Sequence, residues 1–170
     1  MTATVEQVWH WLEEVPDPEI PVISVVDLGI VRKVERGGNG EFIVIITPTY
    51  SGCPAMLTIA DGVEAVLRSH GVERVRLETQ LSPAWTTDWM TESGKKKLKH
   101  YGIAPPARQA SDHQVIDISR LRKASMEPAV ECPRCGSTRT HRTSEFGSTS
   151  CKALYRCDDC LEPFDYFKSH

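Results

Sequence analysis

Long apolar runs are missing from this chain, so no segment has the length that a membrane-spanning helix needs. The first residues also lack the basic, apolar and small-residue succession of a secretory signal. Neither sign of charge dominates: 20 Lys and Arg stand against 23 Asp and Glu, a formal net of −3. That balance offers no overall footprint for nucleic acid. Internal repeats and low-complexity tracts are absent as well. Cysteine is scarce through most of the chain, with one at position 53 and five in the final 39 residues. These absences point to the cytoplasm, where cysteines serve as metal ligands or reactive thiols more often than as disulfides.

What is present is globular in composition: 40% apolar and 25% charged over 170 residues, enough for one ordinary domain and a small appendage. The chain is organised around Thr47-Pro48-Thr49-Tyr50-Ser51-Gly52-Cys53-Pro54. Before it, Phe42-Ile43-Val44-Ile45-Ile46 is a β-branched run of strand length. After it, Met56, Leu57, Ile59, Ala60, Val63, Val66 and Leu67 recur at helical spacing up to His70, where Gly71 supplies the stop. Pro54 suits the first helical position. Cys53 is thereby expected at a strand end beside a helix N-terminus, where free N–H groups and the helix dipole favour a thiolate. Thr47, Thr49 and Ser51 add hydroxyls. A small buried thiol is the other reading of Cys53, and from these residues alone both stand.

Around this centre, Thr4-Val5-Glu6-Gln7 reads as a capping box for a first helix running to about Val15. Trp9 lies on its apolar stripe and is expected in the core; Trp11 lies off it. The prolines from Pro16 to Pro21 end that helix. A packed loop over 22–29 then leads into a strand over Ile30–Arg36, joined by the Gly37-Gly38-Asn39-Gly40 turn to the Glu41–Thr47 strand. Val72, Val75, Leu77 and Leu81 predict a third strand. A loop with Trp85 and Trp89 follows, then a short helix ending in Lys95-Lys96-Lys97-Leu98-Lys99-His100-Tyr101 with Gly102 as its stop. Those lysines complement a helix dipole; phosphate contact is the alternative. This first domain is expected over 1–102. Residues 103–130, with Pro105-Pro106 and an apolar patch at Val115-Ile116-Asp117-Ile118, read as a linker partly packed back on it.

Cys132-Pro133-Arg134-Cys135 and Cys157-Asp158-Asp159-Cys160 are two CxxC turns separated by 21 residues. Each turn points both sulfurs inward, and the two together complete a tetrahedral site. Residues 131–170 are too few to bury an adequate core unaided, whereas structural zinc supplies on the order of 10 kcal/mol. The expected metal is zinc in a closed structural site, with iron as its rival and disulfides behind both. Thr138–Phe146 and Lys152–Arg156 suit short antiparallel strands. Cys151 is left over in a Gly/Ser/Thr loop, where neighbouring Lys152 favours a thiolate and burial is the opposing reading. The segment carries six Lys/Arg and six Asp/Glu, so protein contact is expected of it in place of nucleic acid.

Residues 17 to about 100 resemble the SufT-like iron–sulfur assembly family. The resemblance rests on Asp17-Pro18-Glu19, Asp27-Leu28-Gly29, the 47–54 stretch and Ser82-Pro83-Ala84-Trp85. The tail from Phe146 to Phe167 narrows it to the ribbon-bearing branch that accompanies the multicomponent phenylacetyl-CoA epoxidase. The implied fold is α+β: three helices with a three- to four-stranded sheet, then a zinc ribbon. The implied role is non-catalytic, the maturation of the epoxidase's reductase component, which carries a plant-type iron–sulfur centre and flavin. In that family Cys53 would hold a cluster, iron or sulfur species transiently. Thr47, Thr49 and Asp27 would stand around it, and Cys151 would serve as a second thiol. The implied partners are the reductase and the general iron–sulfur assembly machinery, without nucleic acid or membrane; a homodimer is compatible.

Three other functions are weighed against it. A cysteine-dependent enzyme would need a base for Cys53, from His10, His70, His100 or His113. A rubredoxin-like redox module would hold iron in the tail. A nucleic-acid-binding ribbon would need a basic face.

Overall fold

The computed structural model describes residues 3–106 and 129–169. The chain divides into two compact units, with the boundary between Tyr101 and Gly102. Of the residues singled out above, His113 and Val115–Ile118 lie outside the described residues, as does most of the expected linker.

In the first unit the capping box forms as expected. Thr4 Oγ1 accepts from the Gln7 N–H at 3.2 Å, and Gln7 Oε1 accepts from the Thr4 N–H at 2.9 Å. It opens α1 (Val5–Leu12), which buries Val8 and Leu12. The helix stops short of Val15 because Glu13, Glu14 and Val15 donate to the carbonyls three residues back, tightening the last turn. Trp9 is only half-buried. Trp11 stacks flat on His70 with ring centroids 4.6 Å apart.

The 22–29 segment is the packed loop that its apolar residues predict, with Ile23, Val25 and Leu28 buried, and Ile20 just before it is buried as well. The turn before it is held by Asp17, whose Oδ1 accepts from the N–H groups of Glu19 and Ile20 at 2.9 and 2.7 Å. The sheet follows. β1 (Val31–Arg36) and β2 (Phe42–Ile46) form an antiparallel hairpin, and α2 (Ala55–Ser69) crosses over to β3 (Val75–Thr79), parallel to β2. β2 is the central strand. Its alternation places Phe42, Val44 and Ile46 in the core and leaves Ile43 and Ile45 half-buried. Helix α2 buries Ala55, Ile59, Val63 and Leu67, one residue per turn. A 3-10 turn at Thr87–Trp89 precedes α3 (Glu92–Tyr101).

The second unit is a four-stranded sheet in the order β4-β7-β6-β5. Its strands are β4 (Ile103–Ala104), β5 (Thr140–Ser144), β6 (Lys152–Cys157) and β7 (Pro163–Phe167). β5 and β6 match the two expected segments. β7 does not appear among those expectations, and β4 falls where a linker was expected: Ile103 pairs with Asp165 and Ala104 with Tyr166, in parallel. The core beneath the sheet gathers Val130, Cys132, Ala153, Tyr155, Cys157, Phe164 and Tyr166.

Candidate cluster-handling site and metal centre

Thr47 follows the last residue of β2, with its N–H donated to the Ile30 carbonyl at 2.8 Å. It is 2% exposed, and its hydroxyl is the one buried side-chain N or O among the described residues with no hydrogen-bond partner. The chain then turns, and the Cys53 N–H donates to the Tyr50 carbonyl at 3.1 Å. Pro54 occupies the N-cap of α2, one residue before its first helical position, although its φ of −69° and ψ of −20° are already helical. Cys53 therefore sits just before the N-cap, two residues ahead of Ala55, half-buried, with exposed Ser51 and Gly52 before it. No acidic residue occupies the first turn of α2, so nothing there competes with an anion for the helix N-terminus.

Beside this turn lies a cavity of about 460 Å³. The 47–51 loop, with Thr47 and Thr49, forms one side; Leu81, Ala84 and Trp85 form the other. Trp85 is buried, and its indole N–H donates to the Leu28 carbonyl at 3.0 Å. The wall is thus tied to the Asp27–Gly29 turn. Gly29 is required there: at φ +70°, a Cβ would stand 2.4 Å from the Trp89 carbonyl oxygen.

Neither Cys53 nor Asp27 is among the residues lining the cavity. The Asp27 carboxylate accepts from Thr91 Oγ1 at 2.8 Å, Lys97 Nζ at 2.6 Å and the Ser24 N–H at 3.2 Å. Burial pushes its carboxyl up, but bonds from Lys97, Thr91 and Ser24 outweigh burial and hold it below its ordinary value. Both oxygens are engaged in fastening α3 to the 24–27 turn. The lysine cluster is correspondingly divided: Lys97 serves Asp27 and Lys95 pairs with Glu92 at 3.2 Å. Thr91 and Lys97 were invisible as partners in the sequence, where Asp27 stands 64 and 70 residues away from them.

Among the described residues no histidine bonds to Cys53. His70 takes Glu14 at 3.1 Å, and His10 lies 3.6 Å from Glu13.

In the second unit the four sulfurs of Cys132, Cys135, Cys157 and Cys160 all lie within 4.8 Å of one another. Cys132 and Cys160 are 3.8 Å apart, Cys135 and Cys157 3.5 Å. Metal–sulfur bonds of about 2.3 Å in a tetrahedron require sulfur separations of about 3.8 Å, so the residues fit a divalent metal. The two knuckles are built alike. The N–H of Cys132 donates to the Ser137 carbonyl at 2.9 Å, and that of Cys157 to the Glu162 carbonyl at 3.0 Å. Charge crowding calls for a cation. A Ser137 N–H favours the Cys135 thiolate, yet burial and the neighbouring sulfurs push that thiol up to about 12. Side chains link one knuckle to the other: Asp158 meets His141 at 2.8 Å, and Asp159 takes Arg139 and Ser137.

Cys151 stands outside that group. It is 7% exposed, its sulfur lies 3.0 Å from Thr149 Oγ1, and its carbonyl accepts from the Lys168 N–H. Lys152, its neighbour, is turned to Asp165 at 3.7 Å. Cys53 and Cys151 belong to different units.

A family model described as the PaaD zinc beta ribbon domain matches residues 118–168, and one described as an iron–sulfur cluster assembly protein matches 5–77. A protein of Escherichia coli (strain K12), named as a component of 1,2-phenylacetyl-CoA epoxidase, is 48% identical over 164 residues. That alignment spans 96% of this chain and 92% of the relative. The chain belongs to the PaaD family. The first unit of this PaaD-family chain has relatives of its own. The Fe-S protein maturation auxiliary factor YitW of Bacillus subtilis (strain 168) is 33% identical, over 55% of this chain and 91% of the relative. A solved DUF59 domain from Bacillus anthracis superposes with a TM-score of 0.52 at 28% identity, over 55% of this chain and 90% of that one.

Proposed function

We propose that the protein is a non-catalytic maturation factor that delivers an iron–sulfur cluster, or its iron or sulfur, to the reductase component of phenylacetyl-CoA epoxidase. The observation that carries this reading is Cys53: a half-buried thiol two residues before α2, with no hydrogen-bond partner on its sulfur among the described residues. A cargo must be released again, and a single accessible sulfur suits release where a closed four-sulfur cage does not. The general assembly machinery would load Cys53. Recipient thiolates would then displace its sulfur from the cargo, with no change in oxidation state. Thr47 and Thr49 would face the docked species from the cavity side, and Asp27 would hold the architecture behind them. The ribbon's four sulfurs would hold zinc in a structural site, and the setting would be the cytoplasm. Burial of Cys151 within its own unit favours packing over cargo handling for it.

The test is made in host cells carrying Cys53→Ala. The variant should fold, and the reductase should accumulate at full length with flavin but poor in iron and sulfide. A reductase fully loaded with cluster in that strain would refute the assignment. Elemental analysis of the purified protein, giving one zinc and no iron in the ribbon, checks the metal.

A further inference from the structure

The cavity lined by the 47–51 loop lies where parallel strands hold their ligands. β2 and β3 run side by side up to the Gln80 N–H, which donates to the Ile46 carbonyl at 2.8 Å. Beyond that bond the two chains part, and the residues that line the cavity come from 47–51 after β2 and from 81–85 after β3. A crevice outside the carboxyl ends of parallel strands is where open α/β sheets bind. At about 460 Å³ it has the volume of a small-ligand pocket.

The lining selects what enters. None of its residues is charged, and none is a histidine or a cysteine. A charged group would enter without a counter-charge, and iron would find no ligand of its own. Leu81, Ala84 and Trp85 supply apolar surface, while Thr47, Thr49 and Ser51 supply hydroxyls, which both donate and accept. The Thr47 hydroxyl is buried without a partner, a state that costs free energy until something bonds to it. An amide answers these features together: it carries no charge, offers one acceptor and one donor, and stands beside apolar side chains along a polypeptide.

We propose that the cavity is a binding site for an uncharged amide carried beside an apolar side chain, with Thr47 as the hydroxyl that bonds it. Resting on the maturation reading, the amide belongs to the polypeptide of the cluster-free reductase. The Cys53 N–H is bonded to the Tyr50 carbonyl, so the loop that would hold the recipient also carries the thiol.

Three related probes differ in charge: N-acetylleucinamide is neutral, N-acetylleucine anionic and leucinamide cationic. Each is titrated into the full chain, with the Trp85 indole N–H and the 47–51 amide resonances as readout, beside thermal unfolding. N-acetylleucinamide should saturate these shifts with a dissociation constant on the order of 1 mM, and the charged probes should bind at least about tenfold more weakly. Thr47→Val should stay folded and bind the neutral probe about three- to tenfold more weakly, whereas Thr47→Ser should bind it as wild type does. Ala84→Leu, whose larger side chain takes up the space, should stay folded and lose the shifts. Cluster-free reductase should displace the probe. Shifts that are absent or do not saturate, equal binding of a charged probe, or wild-type affinity in Thr47→Val would overturn the site. Reductase that binds without displacing the probe would overturn the polypeptide as its occupant and make the ligand a free amide. Displacement by reductase together with normal cluster transfer by Cys53→Ala would leave the amide site standing and remove the maturation reading of Cys53.

Discussion

Trp85 donates its indole N–H to the carbonyl of Leu28, 57 residues earlier in the chain, at 3.0 Å. One bond thereby joins the wall of the cavity next to the 47–51 loop to the turn that contains Asp27. Trp85→Phe keeps the aromatic packing but leaves that carbonyl without its donor. It should cost about 1–2 kcal/mol in urea unfolding. Transfer should fall further than this loss of stability explains, since the cavity wall is released. Unchanged transfer at reduced stability would separate the wall from function.

Asp27 makes the first unit acid-sensitive. Its folded pKa lies below its ordinary value, so its contribution is complete above the unfolded pKa of about 3.9 and disappears as pH falls through the folded value. Asp27→Asn should lower stability at neutral pH and flatten the acid limb of a stability-against-pH curve. An acid limb as steep as that of wild type would mean that other carboxylates dominate it.

The Thr47 hydroxyl is buried without a partner in the unliganded fold. Thr47→Val replaces it at nearly constant volume. Unfolding should be unchanged or stabilised by about 1 kcal/mol. A fall in cluster transfer without a fall in stability would show that the hydroxyl's partner arrives with the cargo. If stability drops instead, the hydroxyl is engaged in the resting protein.

Cys53 and Cys151 should differ in reactivity by exposure. Cys53 is half-buried at a turn; Cys151 is 7% exposed and bonded to Thr149. Alkylation followed by peptide mass should modify Cys53 first, with Cys151 modified only on unfolding. Equal rates would contradict the burial of Cys151.

Cys135→Ser should release the metal. The crowded sulfurs leave the ribbon dependent on a cation, so the variant should lose the dispersed resonances of residues 129–169 and keep those of the first unit. Retention of stoichiometric metal by the variant would contradict the four-sulfur assignment.

The Thr47–Pro54 turn was legible in the sequence because strand, turn and helix each leave a local pattern there. The ribbon cysteines were legible because their spacing carries the geometry. β4 was not: two residues before Pro105-Pro106 show no period, and their partner strand lies far along the chain. β7 left a trace in the alternation of buried Phe164 and Tyr166 with half-exposed Asp165, a signal overshadowed by the adjacent cysteine turn. The partners of Asp27 and Trp85 lay beyond reach because they are tertiary contacts made by side chains whose local patterns suggest other uses. Pro54 was misplaced by one residue, within the usual uncertainty of a helix end.

The parallel pairing of β4 with β7 also sets an order of events at the ribosome. Ile103 and Ala104 are synthesised about sixty residues before Asp165 and Tyr166, and no hairpin can bring them together early. All four ligand sulfurs emerge before Pro163 begins β7. The four ligand sulfurs thus all precede β7 in the chain, and the pairing of the earliest ribbon strand with β7 waits until β7 has been made.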